Sequence, residues 1–91
     1  MQALQSVDAL DVGCGAGLLS ESLARLGVNS VTGVDPTAKC IELAQGHLDM
    51  DCTGLKDKVT YLNTTVEELD SEKKYDLVCC SEVIEHVANQ H

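Results

Sequence analysis

The sequence predicts an α/β fold, a doubly wound parallel sheet truncated to about four strands. Short β-rich runs alternate with segments whose apolar residues recur at helical spacing, and this alternation is typical of strands joined by crossover helices. A glycine cluster follows the first run, and an Asp-Pro pair follows the second. Because such crossovers are right-handed in nearly all known folds, the strands are expected to lie parallel in one sheet.

The first strand is predicted at residues 7–12, which are mostly apolar and end at a glycine cluster. A helix is expected next because leucines recur at helical spacing, namely Leu19, Leu23 and Leu26. Gly27 follows these leucines at the position where a left-handed residue commonly ends a helix.

The second strand is predicted at residues 30–34, a β-rich run that ends at Asp35 and Pro36. Pro36 and Thr37 suit the start of a second helix. The apolar face of that helix is predicted to consist of Ile41, Ala44 and Leu48. Gly46 lies inside the same helix, where glycine costs about 1 kcal/mol relative to alanine. The apolar face therefore predicts that the helix exists, but not where it ends.

The second half of the chain contains two further predicted strands. Residues 49–58 form a polar connection, and residues 59–62 form the third strand. A short helical turn is expected at residues 65–69, followed by a fourth strand at 77–80. Residues 81–88 then begin another helix.

The charge of the chain narrows the choice of partner. Fifteen acidic residues against six basic residues give a net charge of −9. A phosphate backbone would repel such a chain, so nucleic acid is not expected as a partner, and a cationic small molecule is favoured. The five cysteines form no C-x-x-C pair and their number is odd, so a disulfide framework or a structural zinc site is not expected.

The glycine cluster between the first strand and the first helix is the strongest chemical signal. Gly13, Gly15 and Gly17 allow a sharp turn and let a ligand approach the backbone closely. Asp35 ends the second strand 20 residues after Gly15, where a carboxylate can accept hydrogen bonds from two ribose hydroxyls. The pattern predicts a nucleoside site; the alternative is a tight structural turn with a solvated Asp35.

Two residues distinguish between the possible nucleosides. The dinucleotide fingerprint G-x-G-x-x-G requires glycine at position 18, where this chain has Leu18. Asp11 lies two residues before the first glycine, and its carboxylate would repel a pyrophosphate but favour an ammonium and a sulfonium. The residues therefore favour S-adenosylmethionine over NAD.

The glycine loop resembles that of a known enzyme family. Residues 11–17 (DVGCGAG) and 33–35 (GVD) are similar to the first two motifs of class I S-adenosylmethionine-dependent methyltransferases. Further similarity lies in GLLSE at 17–21, TVEE at 65–68 and SEVIEHV at 81–87. Together these motifs resemble the ubiquinone-biosynthesis O-methyltransferases, and the resemblance covers nearly the whole chain.

The resemblance implies a set of cofactor-binding residues. Gly13, Gly15 and Asp35 would hold the methionine and ribose parts of S-adenosylmethionine. Thr65 and Val66 would flank the adenine, although Val66 could equally be an ordinary apolar contact.

The motif after the fourth strand implies the rest of the site. Ser81 would close the cofactor site from the substrate side, and it also suits a helix N-cap. Glu82, Glu85 and His86 share one helical face; acidic side chains near a helix N-terminus can simply favour its dipole. In the resembled family these three positions are thought to bind Mg²⁺, although Mn²⁺ or Zn²⁺ would suit an imidazole at least as well. His86 could alternatively act as a general base.

The resemblance further implies what the whole protein does. Residues 1–91 would be a partial S-adenosylmethionine-binding domain, marginally folded and without catalysis alone, of an enzyme that methylates a polyprenylated catechol or quinol in ubiquinone biosynthesis. The implied location is the matrix side of the mitochondrial inner membrane, with the bacterial cytoplasm as the alternative. Peripheral membrane and biosynthetic-complex association would be carried by regions outside the chain. The competing functions are methylation of another small molecule, non-catalytic nucleoside binding and dinucleotide oxidoreduction.

Overall fold

The computed structural model describes residues 3–69 and 74–80. Within these ranges the chain forms four strands and two α-helices. In chain order they are β1 (Asp8–Val12), α1 (Leu18–Leu26), β2 (Ser30–Val34), α2 (Ala38–Asp49), β3 (Val59–Leu62) and β4 (Leu77–Cys80). Short 3-10 turns occur at Leu4–Ser6, Leu55–Asp57 and Val66–Glu68.

The four strands lie in one sheet in the order β3-β2-β1-β4, and every neighbouring pair is parallel. In the register, Asp11 of β1 lies between Gly33 of β2 and Cys79 of β4. The chain moves outward from β1 through β2 to β3 and then returns to the other side of β1. The parallel pairing of all four strands confirms the predicted α/β sheet. The strand order reverses at β1, and open sheets of this kind bind ligands beyond the carboxyl ends of the strands at such a switch point.

Both α-helices pack on the same face of the sheet. Alternate residues of the strands point to that face, so Ala9, Val31 and Val59 are buried against it. The helices contribute a second layer to the same core, namely Leu23, Ala24, Ala44 and Leu48. This packing fixes the position of the loop that leads from β1 into α1.

Gly27 ends α1 in the left-handed conformation, with φ of 107° and its N–H bonded to the Ala24 carbonyl. That C-cap was predicted from the sequence. The first strand begins at Asp8, one residue later than predicted. The Val7 carbonyl just before it accepts the N–H groups of Asn29 and Ser30.

The connection at 49–58 is more ordered than its polar composition predicts. It contains a 3-10 turn whose first residue, Leu55, is buried in the core. Asp51 holds this turn by accepting the N–H groups of Thr53 and Leu55, at 2.9 and 3.1 Å. The helix predicted at 81–88 lies outside the described residues.

Candidate cofactor-binding site

The glycine loop crosses the carboxyl ends of β1 and β2. Gly13, Gly15 and Gly17 all have positive φ, of 71°, 55° and 86°, a region that residues with a Cβ rarely adopt. The Val34 carbonyl accepts two loop N–H groups, from Gly13 at 2.9 Å and from Cys14 at 3.0 Å. Gly17 donates its N–H to the Cys14 carbonyl at 2.9 Å. The loop is therefore held by its own backbone and by the end of β2.

Asp35 connects the glycine loop to the two neighbouring segments. One carboxylate oxygen accepts the Gly15 N–H at 3.1 Å, and the other accepts the Thr37 N–H at 2.8 Å. The Asp35 carbonyl accepts the side-chain amide of Asn63 at 3.0 Å. Only 7% of Asp35 is exposed, so its carboxylate is held in one orientation at the edge of the loop.

A cavity of about 130 Å³ lies beside this edge. Its walls come from the ends of β1 and β2 and from the turn after β3, namely Val12, Gly13, Val34, Pro36, Thr64, Thr65, Val66 and Glu67. The structure thus places the predicted Gly13, Thr65 and Val66 around one cavity. Its volume is below the roughly 300–1,000 Å³ of a typical small-molecule pocket, so it has room for one part of a nucleoside ligand.

The side chains of the turn after β3 are arranged around Thr65. Thr65 is the N-cap of the 3-10 turn and donates its hydroxyl to Glu68 at 3.1 Å. Val66 is 43% exposed although it lines the cavity. An exposed apolar side chain at a cavity wall is available to a flat ligand ring.

Asp11 lies on the other side of the loop, beneath α1. It is 0% exposed, and one carboxylate oxygen accepts the Ser20 hydroxyl at 2.7 Å. Asp11 does not line the cavity beside Asp35. Its charge would reach a ligand through the loop and not by direct contact with the cavity contents.

Tyr61 also lies beneath the loop, and sequence reasoning gave it no role. Its ring fills the space that side chains at Gly33 and Gly17 would need. A Cβ on Gly33 would lie 2.8 Å from the ring, and a Cβ on Gly17 would overlap the phenol oxygen. The hydroxyl donates to the Gly17 carbonyl at 3.3 Å. Asp11, Ser20, Gly33 and Tyr61 are called the buried network below.

Two side chains around the loop, Tyr61 of the buried network and Cys14 of the loop itself, have raised pKa values. Burial, with Glu21 as the next cause, raises the pKa of Tyr61, so its phenol remains a hydrogen-bond donor. Burial and the nearby carboxylates of Asp11 and Asp35 raise the pKa of Cys14 to about 12. Both groups are neutral at physiological pH.

Two residues that hydrogen-bond to the acidic residues of the site, Asn63 and Ser20, were not predicted, although the sequence contains a signal for each. Asn63 is a polar side chain at the end of a predicted strand, the place where ligands meet parallel sheets. Ser20 occurs at a position of α1 that faces the sheet. For Tyr61 the sequence offers only the alternation of buried and exposed residues along β3. That alternation indicates that Tyr61 lies on the face covered by the helices, but it does not identify the Gly17 carbonyl as its hydrogen-bond partner.

The motif after the fourth strand lies outside the described residues. This applies to Ser81 and to the predicted metal ligands Glu82, Glu85 and His86. Within residues 3–69 and 74–80, no group of three His, Cys, Asp or Glu side chains could hold a metal ion.

A larger groove lies on the opposite face of the sheet. It has a volume of about 610 Å³, and its lining includes Thr32, Thr60, Leu62 and Tyr75. None of the glycine-loop residues contributes to it. The glycine loop contributes Gly13 to the smaller cavity, so the candidate site is the smaller of the two.

Comparison with known proteins shows the family to which the chain belongs. The family description of a methyltransferase domain matches residues 9–91. The mitochondrial ubiquinone biosynthesis O-methyltransferase of Arabidopsis thaliana is 52% identical over 81 residues, which cover 88% of this chain and 24% of that protein. The ubiquinone biosynthesis O-methyltransferase of Rickettsia conorii is 45% identical over 86 residues, which cover 94% of this chain and 28% of that protein.

A solved structure shows the same fold. The magnesium protoporphyrin IX methyltransferase of Synechocystis PCC 6803 with bound S-adenosylmethionine aligns with a TM-score of 0.71 and 32% identity. The alignment covers 85% of this chain and 35% of that one. The chain thus spans roughly a quarter to a third of the length of these relatives. With a family match over nearly all its residues and the expected sheet, the chain belongs to the methyltransferase domain family.

Proposed function

We propose that this chain binds S-adenosylmethionine and forms the cofactor-binding part of an O-methyltransferase. The acceptor would be a polyprenylated catechol or quinol in ubiquinone biosynthesis. The observation that carries the proposal is the cavity beside Asp35, lined by Gly13, Thr65 and Val66, in a chain of the methyltransferase domain family.

The cavity and Asp35 fit the two halves of adenosine. The exposed side chain of Val66 offers an apolar surface for the adenine ring. Each Asp35 carboxylate oxygen accepts one backbone N–H, and each retains a further lone-pair direction. Asp35 would accept the two ribose hydroxyls there.

The hydrogen bonds of the glycine loop favour this cofactor over a dinucleotide. A pyrophosphate site needs backbone N–H groups that point at the ligand. Here the N–H groups of Gly13 and Cys14 bond to the Val34 carbonyl, and that of Gly15 bonds to Asp35. The loop offers a ligand close backbone contact and a negative environment, which suits a methionine ammonium and a sulfonium.

Asp11 would strengthen this preference from below the loop. The carboxylate is sealed from solvent, and charge interactions are stronger where water is excluded. A positive sulfonium above the loop would be stabilised relative to the neutral thioether that remains after methyl transfer.

The methyl group of S-adenosylmethionine is already activated by the positive sulfur, so transfer needs no covalent enzyme intermediate. The acceptor phenol has a pKa near 10 and must lose its proton to become a good nucleophile. We propose that Ser81 closes the cofactor site. Glu82, Glu85 and His86 would hold a divalent ion (Mg²⁺, Mn²⁺ or Zn²⁺), whose charge would lower the acceptor pKa. The alternative is that His86 takes the phenol proton as a general base.

The first test is ligand binding. Calorimetric titration of the purified chain with S-adenosylmethionine, S-adenosylhomocysteine and NAD should give heat with the first two only. Heat with NAD alone would favour the dinucleotide function. No heat with any of the three, from a chain that circular dichroism shows to be folded, would overturn cofactor binding by this chain.

The second test is methyl transfer. A chimera in which this chain replaces the matching segment of the Arabidopsis relative should transfer labelled methyl groups to a prenylated catechol. Loss of activity on chelation and recovery with Mg²⁺, Mn²⁺ or Zn²⁺ would support the metal site, whereas indifference to chelators would leave His86 as base. Activity only with unrelated acceptors would support the second candidate, a methyltransferase for another small molecule.

The proposed location is the matrix side of the mitochondrial inner membrane, in association with a biosynthetic complex. The Arabidopsis relative is a mitochondrial protein by its name, whereas the Rickettsia relative points to the bacterial cytoplasm as the alternative. No helix in the described part of the chain is long and apolar enough to cross a membrane. Fractionation of the source cells, with alkaline extraction of their membranes, would separate the two locations.

A further inference from the structure

We propose that Tyr61 is a positioning residue for the cofactor, because its phenol holds the end of the glycine loop from beneath. The inference rests on the proposed S-adenosylmethionine function and deepens it. Tyr61 is 8% exposed and lies on β3, 44 residues along the chain from its loop partner.

The partner of the phenol is a carbonyl that belongs to two elements at once. The Gly17 carbonyl accepts the Glu21 N–H at 3.0 Å, which is the first helical hydrogen bond of α1. It also accepts the Tyr61 hydroxyl at 3.3 Å. This single oxygen therefore links the loop, the helix and β3.

The ring itself fixes the height of the loop above the sheet. It lies against Gly33 of β2, where an added Cβ would meet ring atoms at 2.8 and 2.9 Å. The same ring occupies the space beneath Gly17, where an added Cβ would lie 2.8 Å from Cζ. The ring is thus enclosed between two glycines, and neither position has room for a side chain.

A shift at Gly17 would reach the residues that contact the cofactor. Gly17 is bonded through its N–H to Cys14, whose own N–H is bonded to the end of β2. The Gly15 N–H lies between them and bonds to Asp35 at 3.1 Å. Without the Tyr61 hydroxyl, Gly17 would be held less firmly, and the hydrogen bonds of Cys14 and Gly15 would weaken with it. The Asp35 carboxylate, which is proposed to bind the ribose, would then lose its fixed orientation.

The test compares two tyrosine variants of the full chain. Tyr61→Phe keeps the ring and removes the hydroxyl, so the Kd for S-adenosylmethionine should rise about three- to tenfold, the range expected for one net hydrogen bond. Tyr75→Phe is the matched control, because Tyr75 lines the groove on the opposite face, and its affinity should stay within about twofold of the unmodified chain.

Thermal melting of the same proteins separates positioning from a purely structural role. A lower Tm for Tyr61→Phe with unchanged affinity, measured well below the transition, would overturn the proposal. If the unmodified chain binds no S-adenosylmethionine, the proposed function itself fails, which is a different result.

A second measurement needs no variant and covers the case in which Tyr61→Phe does not fold. The chain has two tyrosines, so fluorotyrosine labelling gives one ¹⁹F signal for each. Addition of S-adenosylmethionine should shift the Tyr61 signal and leave the Tyr75 signal in place. A Tyr61 signal that is unchanged at saturation would overturn the proposal.

Discussion

The two sides of the glycine loop are built differently. Beneath the loop, Asp11 is 0% exposed and Tyr61 is 8% exposed, and both bond to groups of the same protein. Above it, the cavity wall includes Val66, which is 43% exposed. Asp35 lies at the edge of the loop beside this cavity, and its two carboxylate oxygens accept backbone N–H groups from Gly15 and Thr37. The difference teaches that the buried network sets the shape of the loop, while the cavity side retains capacity for a ligand.

The largest expected effect is on the cavity side. Asp35→Ala removes the acceptors of the Gly15 and Thr37 N–H groups together with those proposed for the ribose. Hydrogen bonds to a charged group are worth about 1.5–3 kcal/mol each, so the affinity for S-adenosylmethionine should fall about a hundredfold or more. Calorimetric titration measures it.

The control for this variant is Asp57→Ala, the same change at an exposed residue of the 3-10 turn before β3. Its affinity should match that of the unmodified chain. Equal affinity in Asp35→Ala would remove the carboxylate from the site and with it the distinction between the two sides of the loop.

The next effect is on stability and tests the buried side. Gly33→Ala would place a Cβ 2.8 Å from the Tyr61 ring and 3.0 Å from the Ser20 hydroxyl. Overpacking of this kind costs about 1–3 kcal/mol in the free energy of unfolding, which denaturant titration measures. Combining it with Tyr61→Leu should give a loss smaller than the sum of the two single losses, because the ring that causes the clash is gone.

Gly46→Ala is the matched control for the glycine change. Gly46 lies inside α2, and no atom outside the adjacent helix backbone is within 4 Å of the position of an added Cβ. The change should therefore stabilise the chain by about 0.5–1 kcal/mol through helix propensity. A destabilising Gly46→Ala, or a neutral Gly33→Ala, would contradict the packing described for α2 or for the ring.

A smaller effect connects the two sides. Asp11→Asn removes a buried charge but keeps an oxygen that accepts the Ser20 hydroxyl. If the charge acts on the sulfonium through the loop, affinity should fall more for S-adenosylmethionine than for neutral S-adenosylhomocysteine, by a factor of about five. Equal losses for both ligands would mean that Asp11 is structural only.

The strands and the helix ends could be predicted from the sequence because each depends on residues that are close together along the chain. The run at 30–34 became β2, and the position of Gly27 predicted the left-handed end of α1. Both features depend on residues within one turn or one strand. The glycine loop and Asp35 were also predicted, since each directly follows a strand and parallel strands end at one edge of the sheet.

The buried network depends on contacts between distant residues, and sequence reasoning therefore gave an incomplete account of it. Asp11 was expected to favour an ammonium and a sulfonium, which stays a prediction; what the sequence did not indicate is that Asp11 lies on the face that α1 covers, where Ser20 bonds to it. Tyr61 lies 44 residues after Gly17, and α1, β2 and α2 separate the two along the chain. Leu55 is a single apolar residue in a polar segment, and only the packed core explains its burial.

The smallest expected effect concerns Cys14, whose thiol faces the core from within the loop. Its pKa is raised from 9.0 to about 12, mainly by burial, so the folded chain keeps a proton that the unfolded chain loses above pH 9. The protonated Cys14 thiol therefore contributes to the free energy of unfolding in full below pH 9, and this contribution is lost as the pH rises from 9 to 12. At pH 9.5 the loss is below about 1 kcal/mol.

Cys14→Ala should therefore flatten the decline of Tm between pH 7.5 and 10, whereas Cys52→Ala, at an exposed cysteine, should leave the decline unchanged. The raised pKa of Tyr61 has the same sign and preserves part of the slope in both variants. The comparison of slopes is independent of any loss of packing in Cys14→Ala, which lowers Tm equally at each pH. Identical slopes in all three proteins would mean that water reaches the thiol, and that the side of the loop facing the core is as open as the cavity side.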